Sequence, residues 1–394
     1  MLKKLLALLL ITINLTACAT TKILPTNGGE VVEWTMPLTT STVSTTVVTT
    51  TPPPPPPKKA SVALAGDVLL HTQVWKAADL GEDKYDFTPF FADIKPYVEA
   101  ADFAICNLEN PVDVDGGNQN LSTYPQFNAP YEILDGIKYM GFDAVTTANN
   151  HSFDKHFEGL CATLENVEKC GLLYTGTYET AEDYNEYLIK EVNGINIAVL
   201  SYSQLDNGMS GVIPSDKRSF AMRRFDIDDT SLTAMAEDMQ NCRDLGADIV
   251  ITALHWGAEY VDYPTSSMED FAHKLAENGA DIVWGGHSHC VQPAEWVSTD
   301  RGQSLILYSL GNFFVDQIGL QPPQAKTAYG AVVTINIEEI DGGFSLSADL
   351  LPTYTYRYTN DDGSRAYQII PEGATNAPES AIPAFQHVES IISF

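Results

Sequence analysis

Basic residues are scarce in this 394-residue chain, which has 22 lysines and arginines against 52 aspartates and glutamates. The formal net charge is therefore −30. The long-range field of such a charge repels phosphate backbones and anionic membrane surfaces, so the composition argues against nucleic acid as a partner. The same field repels a polyanionic substrate at a distance, and a site for one would need a local positive charge.

Cysteine is also scarce, and no C-x-x-C pair occurs among the six cysteines. Five of them follow Cys18, at wide spacing, which argues against a disulfide framework, although one bridge is compatible with an exported protein. A closed structural zinc site built on thiolates is disfavoured for the same reason. Cys106 and Cys290 lie close in sequence to candidate site residues, and we interpret both as small buried apolar side chains.

The first 17 residues have the features of an export signal. Lys3 and Lys4 precede an apolar stretch from Leu5 to Leu15, which is too short for a comfortable membrane span. Leu15-Thr16-Ala17-Cys18 resembles a bacterial lipobox. The resemblance implies cleavage before Cys18 and a lipid anchor at the extracytoplasmic face of the cell membrane. The alternative is an ordinary signal peptide with an unrelated cysteine.

Residues 18–59 are expected to form a tether. Residues 39–51 are mostly threonine, serine and valine, and an unbroken proline run follows from Pro52 to Pro57. Consecutive prolines impose an extended polyproline II conformation without backbone donors, and such a segment buries no core. We therefore predict a spacer rather than a proline-recognition motif.

From residue 60 onward, helical and strand patterns alternate, which indicates an α/β architecture. Helices are predicted over residues 130–140, 157–170, 231–245 and 267–278, the third capped by Thr230 or Ser231. The domain is predicted to end near residue 350. In the C-terminal extension, residues 351–394, Tyr354, Tyr356 and Tyr358 alternate as in an edge strand, and a terminal helix follows residue 371.

Polar side chains follow the apolar runs at similar distances. Such runs end before Asp67, Glu109, Asn150, His255 and the pair His287 and His289. Because buried strands place function where they emerge from a sheet, these ends can converge on one rim. Carboxylate, amide and imidazole groups suit one or two Mn, Fe or Zn ions with open positions for water and substrate.

Two further residues are candidates for catalysis. His151 directly follows Asn150 and is expected to point away from it, leaving the ring free to act on substrate. Asp154, three residues later, is positioned to orient that ring. His287 and His289 are two residues apart, so on a strand or an extended turn both rings would face the same side.

Seven motifs occur in collinear order over about residues 60–320: Leu64-Ala65-Gly66-Asp67-Val68, Asn107-Leu108-Glu109, Phe127-Asn128-Ala129-Pro130, Ala148-Asn149-Asn150-His151 with Asp154, His255-Trp256-Gly257 with Glu259, Gly286-His287-Ser288-His289 with Gln292, and Ser309-Leu310-Gly311-Asn312-Phe313. Together these motifs resemble the CapA family of poly-γ-glutamate capsule proteins, a branch of the calcineurin-like metallophosphoesterase superfamily.

The resemblance implies a four-layer α/β/β/α sandwich with the site at the carboxyl ends of the strands. Asp67 and His289 would hold one metal ion, and Glu109 would bridge to the second. Asn150, His255 and His287 would complete the second position, with His151 as general acid or transition-state stabiliser. Glu259 and Gln292 would either orient these ligands or lie on the surface.

Two departures from the superfamily pattern bear on activity. The first superfamily motif is Asp-x-His, but position 69 is Leu69, and His71 substitutes only if the backbone turns there. The bridging position is a glutamate rather than an aspartate. CapA-like proteins generally share both features, so they leave the fold expectation intact.

Three functions are compatible with these residues. The first is a lipid-anchored, metal-dependent phosphoesterase-like hydrolase that acts on a phosphoester or an anionic γ-glutamyl polymer during capsule synthesis or processing. The second is a non-catalytic polymer-binding or export component beside the membrane subunits of a capsule synthase. A solute-binding lipoprotein is a weaker third, because the collinear ligand set does not favour it.

Overall fold

The structure is a computed structural model that describes residues 56–318 and 324–394. The expected signal segment and anchor cysteine, and the tether up to residue 55, lie outside the described residues. The described residues cluster as one compact unit. Within the ranges described, no helix combines the length and apolarity needed to cross a membrane.

Helices and strands alternate along most of the described chain. The strands are β1 (Lys59–Leu69), β2 (Asp79–Gly81), β3 (Lys84–Tyr85), β4 (Phe103–Leu108), β5 (Ala144–Thr146), β6 (Leu173–Thr175), β7 (Leu188–Val192), β8 (Ile195–Ser203), β9 (Ile249–His255), β10 (Ile282–Gly286), β11 (Ala294–Thr299), β12 (Gly302–Leu307), β13 (Asn312–Val315), β14 (Tyr329–Ile340), β15 (Gly343–Thr359) and β16 (Arg365–Pro371). The α-helices are α1 (Thr72–Ala77), α2 (Lys95–Val98), α3 (Glu132–Met140), α4 (His156–Cys170), α5 (Ala181–Tyr184), α6 (Asp229–Asp244), α7 (Ser266–Asn278) and α8 (Ile382–Ile391). The α/β class predicted from the sequence is confirmed.

Two large sheets carry the fold. One has the order β16-β15-β14-β1-β4-β5-β6, with β13 paired to the end of β1, and the other has the order β11-β12-β10-β9-β8-β7. Strands β1, β4, β5 and β6 run parallel, as do β8, β9, β10 and β12. The carboxyl ends of parallel neighbours lie along one edge, so each sheet gathers its strand ends at a single rim.

The alternation of side chains along each strand explains how the sheets pack. Val62 and Leu64 of β1 join Ile197 and Ile251 of the other sheet in one buried cluster. Ala63 and its neighbours on the opposite face of the first sheet pack instead on α3. The outer face of the second sheet is covered by α6 and α7. Both faces of these strands are buried, which explains their nearly continuous apolar runs.

The predicted helices are present, with shifted ends. Gly141 ends α3 and Gly171 ends α4, both in the left-handed region at φ of 102° and 77°. The predicted cap of α6 at Thr230 or Ser231 was wrong. Asp228 is the N-cap, and its side chain accepts a hydrogen bond of 2.7 Å from the backbone N–H of Ser231.

The C-terminal residues are part of the first sheet. Residue 350, where the domain was expected to end, lies inside β15, a strand of 17 residues. Strand β15 lies between β14 and β16, so it is not an edge strand of the sheet. Tyr354 is paired with both neighbours, whereas Tyr356 and Tyr358 are paired with β16 alone. Helix α8 packs against β15 and β14. Sequence alternation identified the strand but carried no information about its neighbours.

A close backbone approach fixes the end of β1. The backbone N–H of Asp67 donates to the carbonyl of Gly311, at 3.0 Å. A Cβ atom at Gly66 would lie 2.0 Å from that same carbonyl oxygen, so only glycine fits there. The pairing of β1 with β4 is irregular between Leu64 and Asp67. This arrangement turns the Asp67 side chain toward the rim.

Candidate metal centre

The rim of the two sheets brings together all six predicted metal ligands. Asp67 ends the regular part of β1, Glu109 follows β4, and Asn150 follows β5. From the second sheet, His255 is the last residue of β9, and His287 and His289 follow β10. All six side chains are buried.

One group of atoms gathers around His255. Its Nε2 atom lies 2.9 Å from Oδ1 of Asn150 and 3.1 Å from Nδ1 of His287. The same Nε2 atom is 3.4 Å from Oε1 of Glu109. Four potential ligand atoms therefore converge on one small volume.

A second group lies around Asp67 and shares Glu109 with the first. Nδ1 of His289 is 3.8 Å from Oδ2 of Asp67 and 3.9 Å from Oε2 of Glu109. Asp67 is held in place by the side-chain amide of Asn107, which donates to Oδ1 at 2.8 Å, and by the backbone N–H of His287, which donates to Oδ2 at 3.2 Å. Glu109 occupies the position between the two groups.

The charges of the centre are poorly compensated by the protein alone. Both oxygens of Glu109 are buried without a hydrogen-bond partner among the residues that the structure describes. Burial raises the pKa of Glu109 from 4.5 to about 8. Burial, together with the charge of Glu109, also raises the pKa of Asp67 well above its ordinary value. Two adjacent buried carboxylates lacking a positive partner are an unfavourable arrangement that a cation would relieve.

The three histidines of the centre are neutral at physiological pH. Burial lowers the pKa of His255, His287 and His289 well below 6.5, and the neighbouring histidines lower it further. Neutral imidazole is the form that binds metals. The donor set of carboxylates, amide and neutral imidazoles therefore fits one or two divalent cations.

The turn that carries His287 and His289 is not extended, unlike the strand or extended turn predicted from sequence. The two residues have φ of 85° and 56°, both in the left-handed region. This backbone conformation costs on the order of 1–3 kcal/mol for each residue that is not glycine. It brings both rings toward the rim. Just before the turn, a Cβ atom at Gly286 would lie 2.9 Å from Oδ1 of Asp67, so glycine is needed there as well.

His151 and Asp154 form the expected pair beside the metal ligands. Nδ1 of His151 lies 2.8 Å from Oδ2 of Asp154, and that oxygen also accepts the backbone N–H of Phe127 at 2.8 Å. Burial lowers the pKa of His151, but the hydrogen bond and charge of Asp154 outweigh this effect, so the pKa lies above its ordinary value. The ring is thereby favoured as a proton donor.

The structure does not bring His71 to the metal ligands. Its ring packs edge-on against Phe127, with 5.2 Å between centroids, and Phe127 packs in turn against His151 at 4.7 Å. Leu69, at the usual histidine position, is buried against Phe127 and Val315. In the described chain, the group of Asp67, Glu109 and His289 therefore gains no ligand from the segment that follows Asp67.

Sequence reasoning assigned no role to two asparagines that contact the ligands directly. Asn107 donates to Asp67, and Oδ1 of Asn312 lies 2.9 Å from Nδ1 of His289. The sequence did point to these two asparagines, because both lie in motifs that resemble those of the CapA family. For Asn312 the contact depends on β13 pairing with the end of β1, with Asn312 opposite Asp67, which no local pattern indicates.

One exposed carboxylate also reaches the centre. A ligand atom of Glu259 and ring nitrogens of His287 and His289 lie within 4.8 Å of one another. Gln292, the other residue with an open role, donates through its amide to the backbone carbonyl of Val261, at 3.1 Å.

An α/β fold with two sheets and a rim of carboxylate, amide and imidazole ligands defines a metallophosphoesterase-like protein. A sequence profile described as bacterial capsule synthesis protein PGA_cap matches residues 61–317. The chain belongs to this family, and the resemblance to CapA proteins noted in the sequence is confirmed.

Individual relatives agree with this assignment. The chain is 26% identical over 261 residues to "Capsule biosynthesis protein CapA" of Bacillus anthracis, covering 66% of this chain and 60% of that protein. It is 27% identical over 266 residues to "PGA biosynthesis protein CapA" of Bacillus subtilis (strain 168), covering 65% and 63%. A "Probable polyglutamine synthesis accessory protein" of Mycobacterium tuberculosis is 24% identical over 263 residues, covering 64% and 66%. The matches to the two Bacillus proteins thus span less than two thirds of those relatives' own length.

Proposed function

We propose that the chain is a metal-dependent hydrolase that acts on an anionic polymer, of the poly-γ-glutamate class, during capsule synthesis or processing. The observation that carries the proposal is the Glu109 carboxylate, which is buried between two groups of ligands with no hydrogen-bond donor among the described residues. Such a costly arrangement favours a cation bound at this position. The names of the relatives supply the polymer class.

The residues of the centre would have two roles, metal binding and proton transfer. Asp67, Glu109 and His289 would hold one ion, and Asn150, His255 and His287 with Glu109 would hold the other. When bound, such ions supply Lewis acidity and an activated water. His151, oriented by Asp154, protonates the leaving group.

A local cation also reconciles the acidic chain with an anionic substrate. The net charge of −30 repels a polyanion at a distance. Bound divalent ions would be the largest local charges at the rim and would attract a carboxylate or phosphate there. The expectation that nucleic acid is not a partner follows from the same net charge.

The test is metal content together with turnover. The full-length protein, loaded with Mn²⁺, is assayed on two substrates. Hydrolysis of an aryl phosphodiester is followed by release of the aryl alcohol, and action on poly-γ-glutamate is followed by the length of the polymer. We expect bound metal and turnover that is lost in His151→Ala. The control is His156→Ala, because His156 is exposed and only five residues away. Absence of bound metal from the wild-type protein would refute the proposal.

A second candidate is a non-catalytic polymer-binding or assembly component beside the membrane subunits of a capsule synthase. Leu69 favours it, because this buried side chain replaces a usual histidine ligand. Bound metal and polymer binding without turnover of either substrate would support this alternative.

We further propose that the protein acts at the extracytoplasmic face of the cell membrane, held there by a lipid on Cys18. The support is the basic, apolar and small-residue order of residues 1–17 followed by Cys18. Cells that express the wild-type protein are expected to incorporate labelled palmitate into it, and Cys18→Ser is expected to abolish that label. Equal labelling of the two proteins would contradict the anchor.

A further inference from the structure

The two groups of ligands in the metal centre are unequal. The group around His255 includes Glu109, Asn150 and His287, which provides four side chains. The group around Asp67 includes only Glu109 and His289, which provides three. The side chain usual at position 69 is replaced by buried Leu69, and His71 packs on Phe127. The Asp67 group is therefore one side chain short.

Glu259 lies beside two histidines of the centre, one from each group. Its carboxylate and the ring nitrogens of His287 and His289 lie within 4.8 Å of one another. Glu259 is exposed, whereas both histidines are buried. The carboxylate therefore approaches the centre from the solvent side, opposite the strand ends that supply Asp67 and Glu109.

The loop that carries Glu259 is fastened to the histidine turn. The backbone N–H of Tyr260 donates to the carbonyl of Ser288, between the two histidines, at 2.8 Å. The ring of Tyr260 lies 5.9 Å from that of His289. At the start of the loop, the backbone N–H of Gly257 donates to the side chain of Gln204, at 3.1 Å. These contacts hold both sides of Glu259 against the site.

We propose that Glu259 is a further metal ligand, which enters the centre from the solvent side beside His287 and His289. The inference rests on the proposed metal-dependent function. A third carboxylate in the centre, beside Asp67 and Glu109, favours an oxygen-preferring ion of the Mn²⁺ class over Zn²⁺.

The test compares full-length wild-type protein with Glu259→Gln, which removes the charge with little change in shape. Bound Mn²⁺ is counted by elemental analysis, binding is followed by calorimetry, and electron paramagnetic resonance detects spin coupling between adjacent ions. The matched control is Glu269→Gln, because Glu269 is an exposed carboxylate on nearby helix α7. Thermal melting in EDTA confirms that each variant is folded.

We expect two coupled Mn²⁺ ions in the wild type and in Glu269→Gln. In Glu259→Gln we expect one ion to bind at least about tenfold more weakly and the coupled signal to be lost. Unchanged stoichiometry and affinity in Glu259→Gln would overturn the role of Glu259 and leave the proposed function standing. A wild-type protein that binds no metal would overturn both.

Discussion

Nε2 of His255 faces Nδ1 of His287 across 3.1 Å, with the two ring centroids 4.8 Å apart. Both imidazoles are neutral, because burial lowers their pKa well below 6.5. Two neutral nitrogens at this distance share one proton, with one donating and the other accepting. Both nitrogens present lone pairs to one ion when the donating ring takes its other tautomer, with its proton on the opposite ring nitrogen, so the pair is arranged as two adjacent ligands.

This relationship predicts that His255→Ala and His287→Ala each release metal. Each substitution removes a ligand and leaves fewer donors around Glu109, so bound Mn²⁺ per chain should fall by at least one ion. Elemental analysis after dialysis measures the change. His273→Ala is the control, because its ring is partly exposed and bonds to Glu295 instead. Wild-type metal content in both variants would refute the ligand assignment.

The contact between Asn312 and His289 predicts a positioning role for Asn312. Its amide nitrogen donates to the carbonyl of Thr327 at 3.0 Å, which leaves its oxygen to accept from Nδ1 of His289. This hydrogen bond fixes the orientation of the His289 ring beside Asp67 and Glu109. Asn312→Ala is expected to weaken Mn²⁺ binding by about 10- to 100-fold in calorimetry.

The controls for Asn312 separate ring orientation from general damage. Asn312→Asp keeps an oxygen acceptor, so it should retain binding far better than Asn312→Ala. Asn336→Ala removes an exposed amide that bonds to Asp349 and should leave the affinity unchanged. Equal affinity in Asn312→Ala and the wild type would show that the ring needs no such support.

The α/β class and the site region were predictable because both depend on local patterns. Apolar runs that end in Asp67, Glu109 and His255 mark strands by their length and composition, and parallel strands place such ends on one rim. What the sequence could not provide is the pairing between distant strands. Asn312 reaches His289 only because β13 adds to β1, and Tyr354 lies between two paired strands only because β16 returns beside β15.

The backbone conformation of the turn that carries His287 and His289 was also not predicted from the sequence. The spacing of His287 and His289 indicated that both rings face one side, but it suggested an extended chain where the structure has two left-handed residues. Single-residue strain of this kind is stabilised by surrounding contacts, such as the hydrogen bond from Tyr260 to Ser288. Because those contacts come from another loop, propensity alone does not reveal them.

The pair of His151 and Asp154 predicts a shift in proton affinity. The hydrogen bond and charge of Asp154 raise the pKa of His151 against the effect of burial. Asp154→Asn removes the charge, so the pKa of His151 should fall. Titration of labelled histidine by NMR measures this directly. If turnover is present, the basic limb of its pH profile should move to lower pH.

The control for this shift is Glu158→Gln, because Glu158 is an exposed carboxylate on α4 within one turn of Asp154. It should leave the titration of His151 unchanged. A wild-type pKa in Asp154→Asn would contradict the role assigned to the carboxylate.

Glu109 predicts how the stability of the metal-free protein depends on pH. Its pKa rises from 4.5 to about 8 on folding, so between these values the folded state binds the proton more tightly than the unfolded state. The free energy of unfolding therefore falls as pH rises through this window. Below pH 6.5 the buried histidines act in the opposite direction, because their folded pKa values are lowered. Between pH 6.5 and 8 the Glu109 effect is not opposed by the histidines, and the raised pKa of Asp67 acts in the same direction.

The measurement is chemical unfolding of the protein in EDTA at several pH values across this window. Glu109→Gln cannot ionise, so its unfolding free energy should vary less with pH than that of the wild type. Added Mn²⁺ should remove the loss, because a bound cation favours the ionised carboxylate and binds only the folded state. Parallel pH profiles for wild type and Glu109→Gln in EDTA would show that Glu109 is already ionised without metal, and the electrostatic argument for a cation at this position would then fail.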